Sequence, residues 1–222
     1  MAMAPNPVPI GDAVRYGWTR TMDRLGFWIV LMLIVGVVSS IPQWLSRPMM
    51  ESAPSTAALI NLLGSVISIF VSIGVISISL MVYDARPVSY GDLFSRREVF
   101  WRYLGGTILS GLIVALGFLL LIVPGIVWAI KYQFVPYVIV DRGVGATESL
   151  RMSARLTDGV KMNLLFFDLA LFGVILLGAI ALGVGLFVAL PVVLMAHAYM
   201  YRHRLGAAGG ASPVAQPAPV TT

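Results

Sequence analysis

Residues 103–140 read YLGGTILSGLIVALGFLLLIVPGIVWAIKYQFVPYVIV, an apolar run in which Lys131 is the single charged residue. A bilayer core about 30 Å thick is crossed by roughly 20 helical residues, so this run is too long for one span. Pro124-Gly125 stands near its middle, and Pro followed by Gly is typical of a turn. We therefore predict that the run folds back on itself and crosses a membrane twice.

The composition of the whole chain is that of a membrane protein. The chain has 222 residues, of which 59% are hydrophobic and 11% charged, and its mean hydropathy is +0.91. Soluble domains carry about 25% charged residues and roughly 45–50% apolar ones, so an ordinary soluble domain is excluded. The chain contains no Cys, which excludes a disulfide framework, a thiolate metal site and a Cys nucleophile.

Three other apolar stretches complete the predicted membrane domain. Residues 25–46 and 52–83 are each long enough for one span, whereas residues 162–201 are long enough for two and carry glycines near their middle. The predicted spans are about 27–45, 58–82, 103–122, 126–140, 163–182 and 185–201. The residues predicted to form structural turns are Pro124, Gly125, Gly183, Gly185 and Pro191.

The basic residues are distributed unevenly between the predicted loops. Thirteen of the 15 Lys and Arg residues lie in the N-terminal segment, the loops 84–102 and 141–162 and the tail, whereas only Arg47 lies in the loop 46–57. Positive residues favour cytoplasmic loops. We therefore predict a bacterial inner-membrane protein with both termini in the cytoplasm. The first span follows 24 residues and lacks a clear small-residue cleavage site, so no cleavable signal peptide is predicted.

A short, charged and helix-prone segment precedes each predicted pair of spans. The first begins at Asp12, the second at Ser89 with Asp92 in a capping-box pattern, and the third covers residues 146–157. Each is expected to lie as an amphipathic helix on the cytoplasmic membrane surface. The alternative is a loop helix that packs on the underside of the bundle.

The predicted fold class is an all-α, polytopic membrane helix bundle of six transmembrane helices in three hairpins, with amphipathic surface helices on the cytoplasmic side. The membrane domain covers residues 12–205. Residues 1–11 and the uncharged, Ala/Pro/Gly-rich tail 206–222 are predicted to be disordered.

Several segments of the chain are similar to one group of bacterial membrane proteins. They are Val123-Pro-Gly-Ile-Val-Trp-Ala-Ile, Val138-Ile-Val-Asp141, Ala146-Thr-Glu-Ser-Leu-Arg-Met-Ser153 and Leu156-Thr-Asp-Gly159. The chain resembles the YciC-like integral membrane proteins and the related membrane domain of some glycerophosphoryl diester phosphodiesterases. The resemblance covers about residues 12–204 and implies a six-span inner-membrane protein. No phosphodiesterase domain is present, so the resemblance implies no such activity.

Four polar residues within the spans form a candidate intramembrane site: Lys131, Gln133, Asp168 and His197. A charge at the bilayer centre costs about 2.5–3.5 kcal/mol on insertion scales, so such groups usually face protein or water. Asp168 and His197 are expected at matching depth on consecutive helices, where they form either a proton-linked pair or a structural hydrogen bond. Lys131 either binds an anion or pairs with a backbone carbonyl or with Asp168.

The arginines of the charged segments are candidate contacts for anionic lipid headgroups. They are Arg20, Arg24, Arg96, Arg97, Arg151 and Arg155. Each basic side chain near an anionic membrane surface contributes about 1 kcal/mol to the attraction. The competing interpretation is that these arginines only set the orientation of the chain during insertion.

These patterns predict a non-enzymatic inner-membrane protein that acts in envelope organisation or as an accessory subunit of a membrane complex. The alternative is a small transporter or channel that uses Lys131, Asp168 and His197, and an intramembrane enzyme is the third possibility. No catalytic, cofactor or metal motif is present in the sequence. The expected partners are membrane lipids, through anionic headgroups, and a membrane protein, but not nucleic acid.

Overall fold

The computed structural model describes residues 8–181 and 185–209, and every regular element in these two ranges is helical. The described α-helices are α1 (Ile10–Asp23), α2 (Leu25–Ser46), α3 (Pro54–Tyr83), α4 (Phe100–Leu120), α5 (Ile122–Tyr132), α6 (Val135–Arg142), α7 (Ala146–Leu156), α8 (Lys161–Ile180) and α9 (Leu186–Ala207). Short 3-10 turns cover Arg47–Met49, Tyr90–Phe94 and Arg97–Val99.

The limits of the predicted disordered ends differ from those of the helices. Helix α1 already begins at Ile10, and α9 continues to Ala207, because both ends pack into the bundle. Residues 1–7 and 210–222, and the predicted turn residue Gly183, lie outside the described residues.

Five helical stretches of the described chain are long and apolar enough to cross a membrane. They are Leu25–Met49, Pro54–Tyr83, Tyr90–Leu120, Ile122–Arg142 and Lys161–Ile180. Helix α9, which contains the sixth predicted span, is not among these five. Its second half includes Arg202, His203 and Arg204, which lower its apolar character.

Apolar side chains on the outer faces of the bundle are exposed in large number. A large exposed apolar surface is unfavourable in water and typical of a membrane-facing belt. The exposed side chains include Val37, Ile41, Leu45, Leu59, Leu62, Leu63, Leu116, Leu119, Leu120, Leu121, Ile122, Val123, Leu169, Phe172, Leu176, Leu177 and Ile180.

Helix α6 forms the centre of the core. Phe134, Val135, Val138 and Ile139 are all fully buried, and α6 packs against α3, α4 and α7. A helix that is apolar on every side must be surrounded by protein or lipid, and here it is surrounded by protein. The sequence predicted this segment as the second half of a lipid-crossing span.

The predicted span 126–140 is divided into two helices, because the chain breaks between α5 and α6. The break leaves backbone groups without helical partners, and α7 supplies them. The Ser153 hydroxyl donates to the carbonyl oxygen of Lys131 at 2.9 Å and accepts from the Phe134 N–H at 3.3 Å. Backbone groups freed inside an apolar bundle need such partners, so α7 is part of the packed structure.

The turn predicted at Pro124-Gly125 lies instead at Leu121, which has extended backbone angles between α4 and α5. Pro124 and Gly125 fall in the first turn of α5, where a proline needs no N–H donor. Gly125 allows close packing, since a Cβ added at Gly117 would lie 2.9 Å from its Cα. Pro191, also predicted as a turn residue, lies inside α9.

The three charged segments differ in structure. Ser89 and Asp92 form the predicted capping box, but it begins a 3-10 turn, and no separate amphipathic α-helix precedes α4. Helix α1 packs along α9, with Ala13, Tyr16 and Gly17 buried. For α1 and α7, packing against the bundle is therefore the dominant feature.

Candidate functional site

A cluster of arginines and aspartates lies at the ends of α3 and α6, beside the last two turns of α9 and the segment that precedes α4. Its centre is Arg202, whose side chain is only 4% exposed. The Arg202 guanidinium donates from Nη2 to Asp84 Oδ2 at 2.6 Å and from Nη1 to Asp141 Oδ2 at 2.9 Å. The Tyr201 hydroxyl also donates to Asp141, at 2.8 Å. One buried cation thus joins three helices through two carboxylates.

Two helix ends hold these carboxylates in place. Helix α3 ends at Asp84 in a Schellman motif, in which the N–H of Arg86 donates to the Met81 carbonyl and Ala85 takes a φ of 54°. Helix α6 ends just after Asp141, at Gly143, which has a φ of 61°. The left-handed conformations turn the chain sharply after each acidic residue.

Two further arginines surround Asp141. Arg96 donates from Nε to the Val140 carbonyl oxygen at 3.1 Å and from Nη2 to the Asp141 carbonyl oxygen at 3.2 Å. Arg142 Nε lies 3.3 Å from Asp141 Oδ2. The side chain of Arg86 forms no ion pair with any described residue.

This cluster borders a cavity of about 470 Å³. Its lining residues are Ser77, Leu80, Met81, Asp84, Arg86, Ser95, Arg96, Val140, Asp141, Arg142 and Arg202. Four arginines face two aspartates, so the lining carries a net positive charge. Cavities of about 300–1,000 Å³ with a few convergent polar groups are typical of ligand sites.

The sequence alone does not predict this site. Arg202 and Asp84 are 118 residues apart, and Arg202 and Asp141 are 61 apart. In the sequence all three are ordinary charges at the ends of apolar runs, where basic residues also set topology. The one available signal was that Asp84 and Asp141 each directly follow a long apolar run.

The structure brings together two of the predicted intramembrane residues. His197 Nε2 lies 3.7 Å from Asp168 Oδ1, and His197 Nδ1 lies 3.1 Å from the Val193 carbonyl oxygen. The two side chains are 23% and 33% exposed, respectively. Helices α8 and α9 also pack closely at their opposite ends, next to the turn that joins them, since a Cβ added at Gly178 would lie 2.7 Å from the Ala189 Cβ.

Lys131 and Gln133 lie at the break between α5 and α6. Lys131 Nζ lies 5.4 Å from the centre of the Tyr132 ring. The amide atoms of Gln133 are buried and have no hydrogen-bond partner among the described residues. No hydrogen bond or ion pair in the described part of the chain joins either residue to Asp168 or His197.

Most of the arginines predicted as lipid contacts lie on the surface: Arg20, Arg24, Arg97, Arg151 and Arg155 are exposed. Arg20 and Arg24 line a second cavity of about 140 Å³, together with Arg86. Arg96 is the exception, because its guanidinium is partly buried against α6. In the part of the chain that the structure describes, no cluster of three or more His, Cys, Asp or Glu could hold a metal ion.

The fold and the site define a class: an all-helical protein with apolar, membrane-length helices and a buried arginine–aspartate cluster at the ends of several of them. Residues 56–207 match the family described as "Protein of unknown function (DUF975)", and the chain belongs to that family. These comparisons do not support the resemblance to the YciC-like proteins or to the phosphodiesterase membrane domain.

The chain is also similar to uncharacterised bacterial proteins. Mb2590 of Mycobacterium bovis and Rv2560 of Mycobacterium tuberculosis are each 22% identical to it over 241 residues. Each alignment covers 95% of this chain and 72% of the relative. No solved structure matches the chain.

Proposed function

We propose that this protein is a non-enzymatic, six-span protein of the bacterial inner membrane that acts as an accessory subunit or organising partner of another membrane protein. The observation that carries the proposal is a tightly packed helical core inside an exposed apolar belt. The belt is mainly aliphatic and is interrupted by exposed glycines such as Gly36, Gly105 and Gly111, and small residues let other membrane helices approach closely.

The position of the cavities supports this function over transport. Neither of the two cavities described above is lined by Lys131, Asp168 or His197. A transporter that used these residues would need a water-accessible path to them. Both cavities lie instead among basic residues of the loops and helix ends.

In the proposed topology α9 is the sixth span, so that both termini and the basic loops are cytoplasmic. Close packing of α9 against α8 supports this arrangement. The arginine–aspartate cluster then lies at the cytoplasmic ends of α3, α6 and α9. The uneven distribution of basic residues supports the same orientation.

Single-Cys labelling tests the topology, since the natural chain has no Cys. Thr147 and Ser52 are exposed and suit the test, whereas Ser153 is buried and does not. In intact cells an impermeant maleimide should label Ser52→Cys but not Thr147→Cys, and lysis should expose both. Labelling of Thr147→Cys before lysis would contradict the proposed orientation.

A native-gel experiment tests the accessory role. The protein, tagged at its natural expression level, is extracted from native membranes with a mild detergent and compared with the purified, reconstituted chain. A defined larger complex with a fixed stoichiometry of one other membrane protein is expected. Migration of both preparations as the same species would refute the role.

A proteoliposome experiment tests the alternative function of transport. Proton or potassium flux equal to that of empty liposomes is expected. Flux that depends on the protein and is abolished by Asp168→Asn would favour the transporter instead.

A further inference from the structure

We propose that the arginine-lined cavity is a binding site for a phosphate group. The group is either the headgroup of an anionic phospholipid or a soluble phosphate ester. This inference goes beyond the accessory role and does not depend on it.

The charge of the cavity fits a phosphate. Within it, Arg142 and Arg202 balance the charges of Asp84 and Asp141, so Arg86 and Arg96 are in excess. Arg86 has no ion pair in the described chain. Arg96 uses Nε and Nη2 for backbone carbonyls, and its Nε also lies 3.7 Å from the exposed Glu98 outside the lining, which leaves Nη1. Guanidinium groups recognise phosphate oxygens through charge-assisted hydrogen bonds.

Two unpartnered atoms near the cavity are out of reach of a ligand. Asp84 Oδ1 and Arg202 Nε have no hydrogen-bond partner in residues 8–181 and 185–209, but both atoms are fully buried. Recognition of a ligand therefore depends on the guanidinium groups of Arg86, which is exposed, and of Arg96, which is half-buried.

The size and position of the cavity limit the ligand class. A volume of about 470 Å³ is large enough for a phosphate group and a small substituent. The Ser77 and Ser95 hydroxyls add neutral polar groups to the wall. Because α3 and α6 end at the cavity and Arg202 lies in the last two turns of α9, the cavity lies near the headgroup level in the proposed topology. A lipid headgroup and a soluble ester can both reach that position.

Binding is tested with two probes on the full-length protein. In the first arm, sn-glycerol 3-phosphate is titrated into protein in phosphatidylcholine nanodiscs and measured by isothermal titration calorimetry. In the second arm, delipidated protein in detergent is titrated with phosphatidylglycerol and measured by native mass spectrometry. One-to-one binding in the first arm identifies a soluble ester, and one-to-one binding in the second arm alone identifies a lipid headgroup.

The variants Arg86→Gln and Arg96→Gln should each raise the dissociation constant about tenfold, because each removes one charge-assisted contact. Arg97→Gln is the matched control, since Arg97 neighbours Arg96 but lies outside the cavity. The Arg86 side chain has no ion pair with a described residue, so Arg86→Gln should leave the stability of the protein unchanged. A loss of binding in this variant therefore cannot be attributed to misfolding. The thermal unfolding midpoint of each variant is measured alongside.

Tenfold weakening in the two cavity variants, with Arg97→Gln unchanged, supports the proposal. Equal weakening in Arg97→Gln would overturn it and leave diffuse surface charge as the cause. The absence of one-to-one binding in both arms, with folded protein, would also overturn it. Neither result bears on the native-gel experiment, so failure of this site and failure of the accessory role are distinguishable.

Discussion

Removing the Arg202 guanidinium should destabilise the protein more than most single substitutions. In Arg202→Met a side chain of similar length remains, but Asp84 and Asp141 lose their shared cation. The Asp84 side chain is 4% exposed, so its carboxylate would be left in a poorly solvated position without a countercharge. Breaking a buried ion pair by removing one partner typically costs about 3–5 kcal/mol. We expect a loss in this range.

A double-mutant cycle isolates the pair itself. Asp84→Asn, Arg202→Gln and the double variant are unfolded by SDS in mixed micelles, followed by tryptophan fluorescence. A 2.6 Å contact between two buried charged groups predicts a coupling energy of about 1–3 kcal/mol, so the double variant should lose less than the sum of the single variants.

Arg204 provides the matched control for this cycle. It is equally buried, but its Nε donates to the Leu156 carbonyl oxygen at 2.8 Å and not to a carboxylate. Arg204→Gln combined with Asp84→Asn should therefore give additive losses. If Arg202→Gln and Asp84→Asn were also additive, the reasoning about the buried network would be refuted.

Three further predictions concern helix packing and polar contacts. Gly74→Ala should cost about 1–3 kcal/mol, because its Cβ would collide with the Leu93 backbone, and SDS unfolding measures the loss. Asp168→Asn should cost no more than about 1.7 kcal/mol, and a cycle with His197→Ala should be non-additive, since such interhelical bonds average about 0.6 kcal/mol. Ser153→Ala should cost about 1–3 kcal/mol in the same assay, because it leaves backbone groups unsatisfied at the α5–α6 break.

Matched variants control the predictions for Gly74 and Ser153. Gly36→Ala adds a Cβ into open space within α2 and should be nearly neutral, so an equal loss there would argue against the steric explanation. Thr147→Ala is the exposed counterpart of Ser153→Ala in the same helix. Strictly additive losses for Asp168 and His197 would argue against their contact.

The surface arginines were predicted from local sequence with good reason, because exposure of a charge at the end of an apolar run depends mainly on its neighbours. Arg96 departed from this rule. Its carbonyl partners, Val140 and Asp141, lie 44 and 45 residues away in the chain. Only the packing of α6 beside the start of α4 brings them within reach.

The sequence by itself determined the class of protein and the location of the apolar helices. Long runs without charge must be removed from water, and helices satisfy their own backbone groups, so this information is local to each run. Helix ends were also partly local, as the capping box at Ser89 and Asp92 illustrates. The positions of the turns between helices depended less on the local sequence. Pro124 is compatible both with such a turn and with the first turn of a helix, and packing placed the turn at Leu121.

Only the tertiary structure decided which helix became the core and where the charges meet. Helix α6 and the outer helices have similar apolar sequences, and the difference is that α7 packs over α6 through Ser153 and completes the backbone bonds at the break. Likewise, Asp84 and Arg202 become a buried pair because the end of α3 packs beside the last two turns of α9. No local pattern specifies a contact between residues 118 positions apart, since that contact arises from the combined packing of all the helices between them.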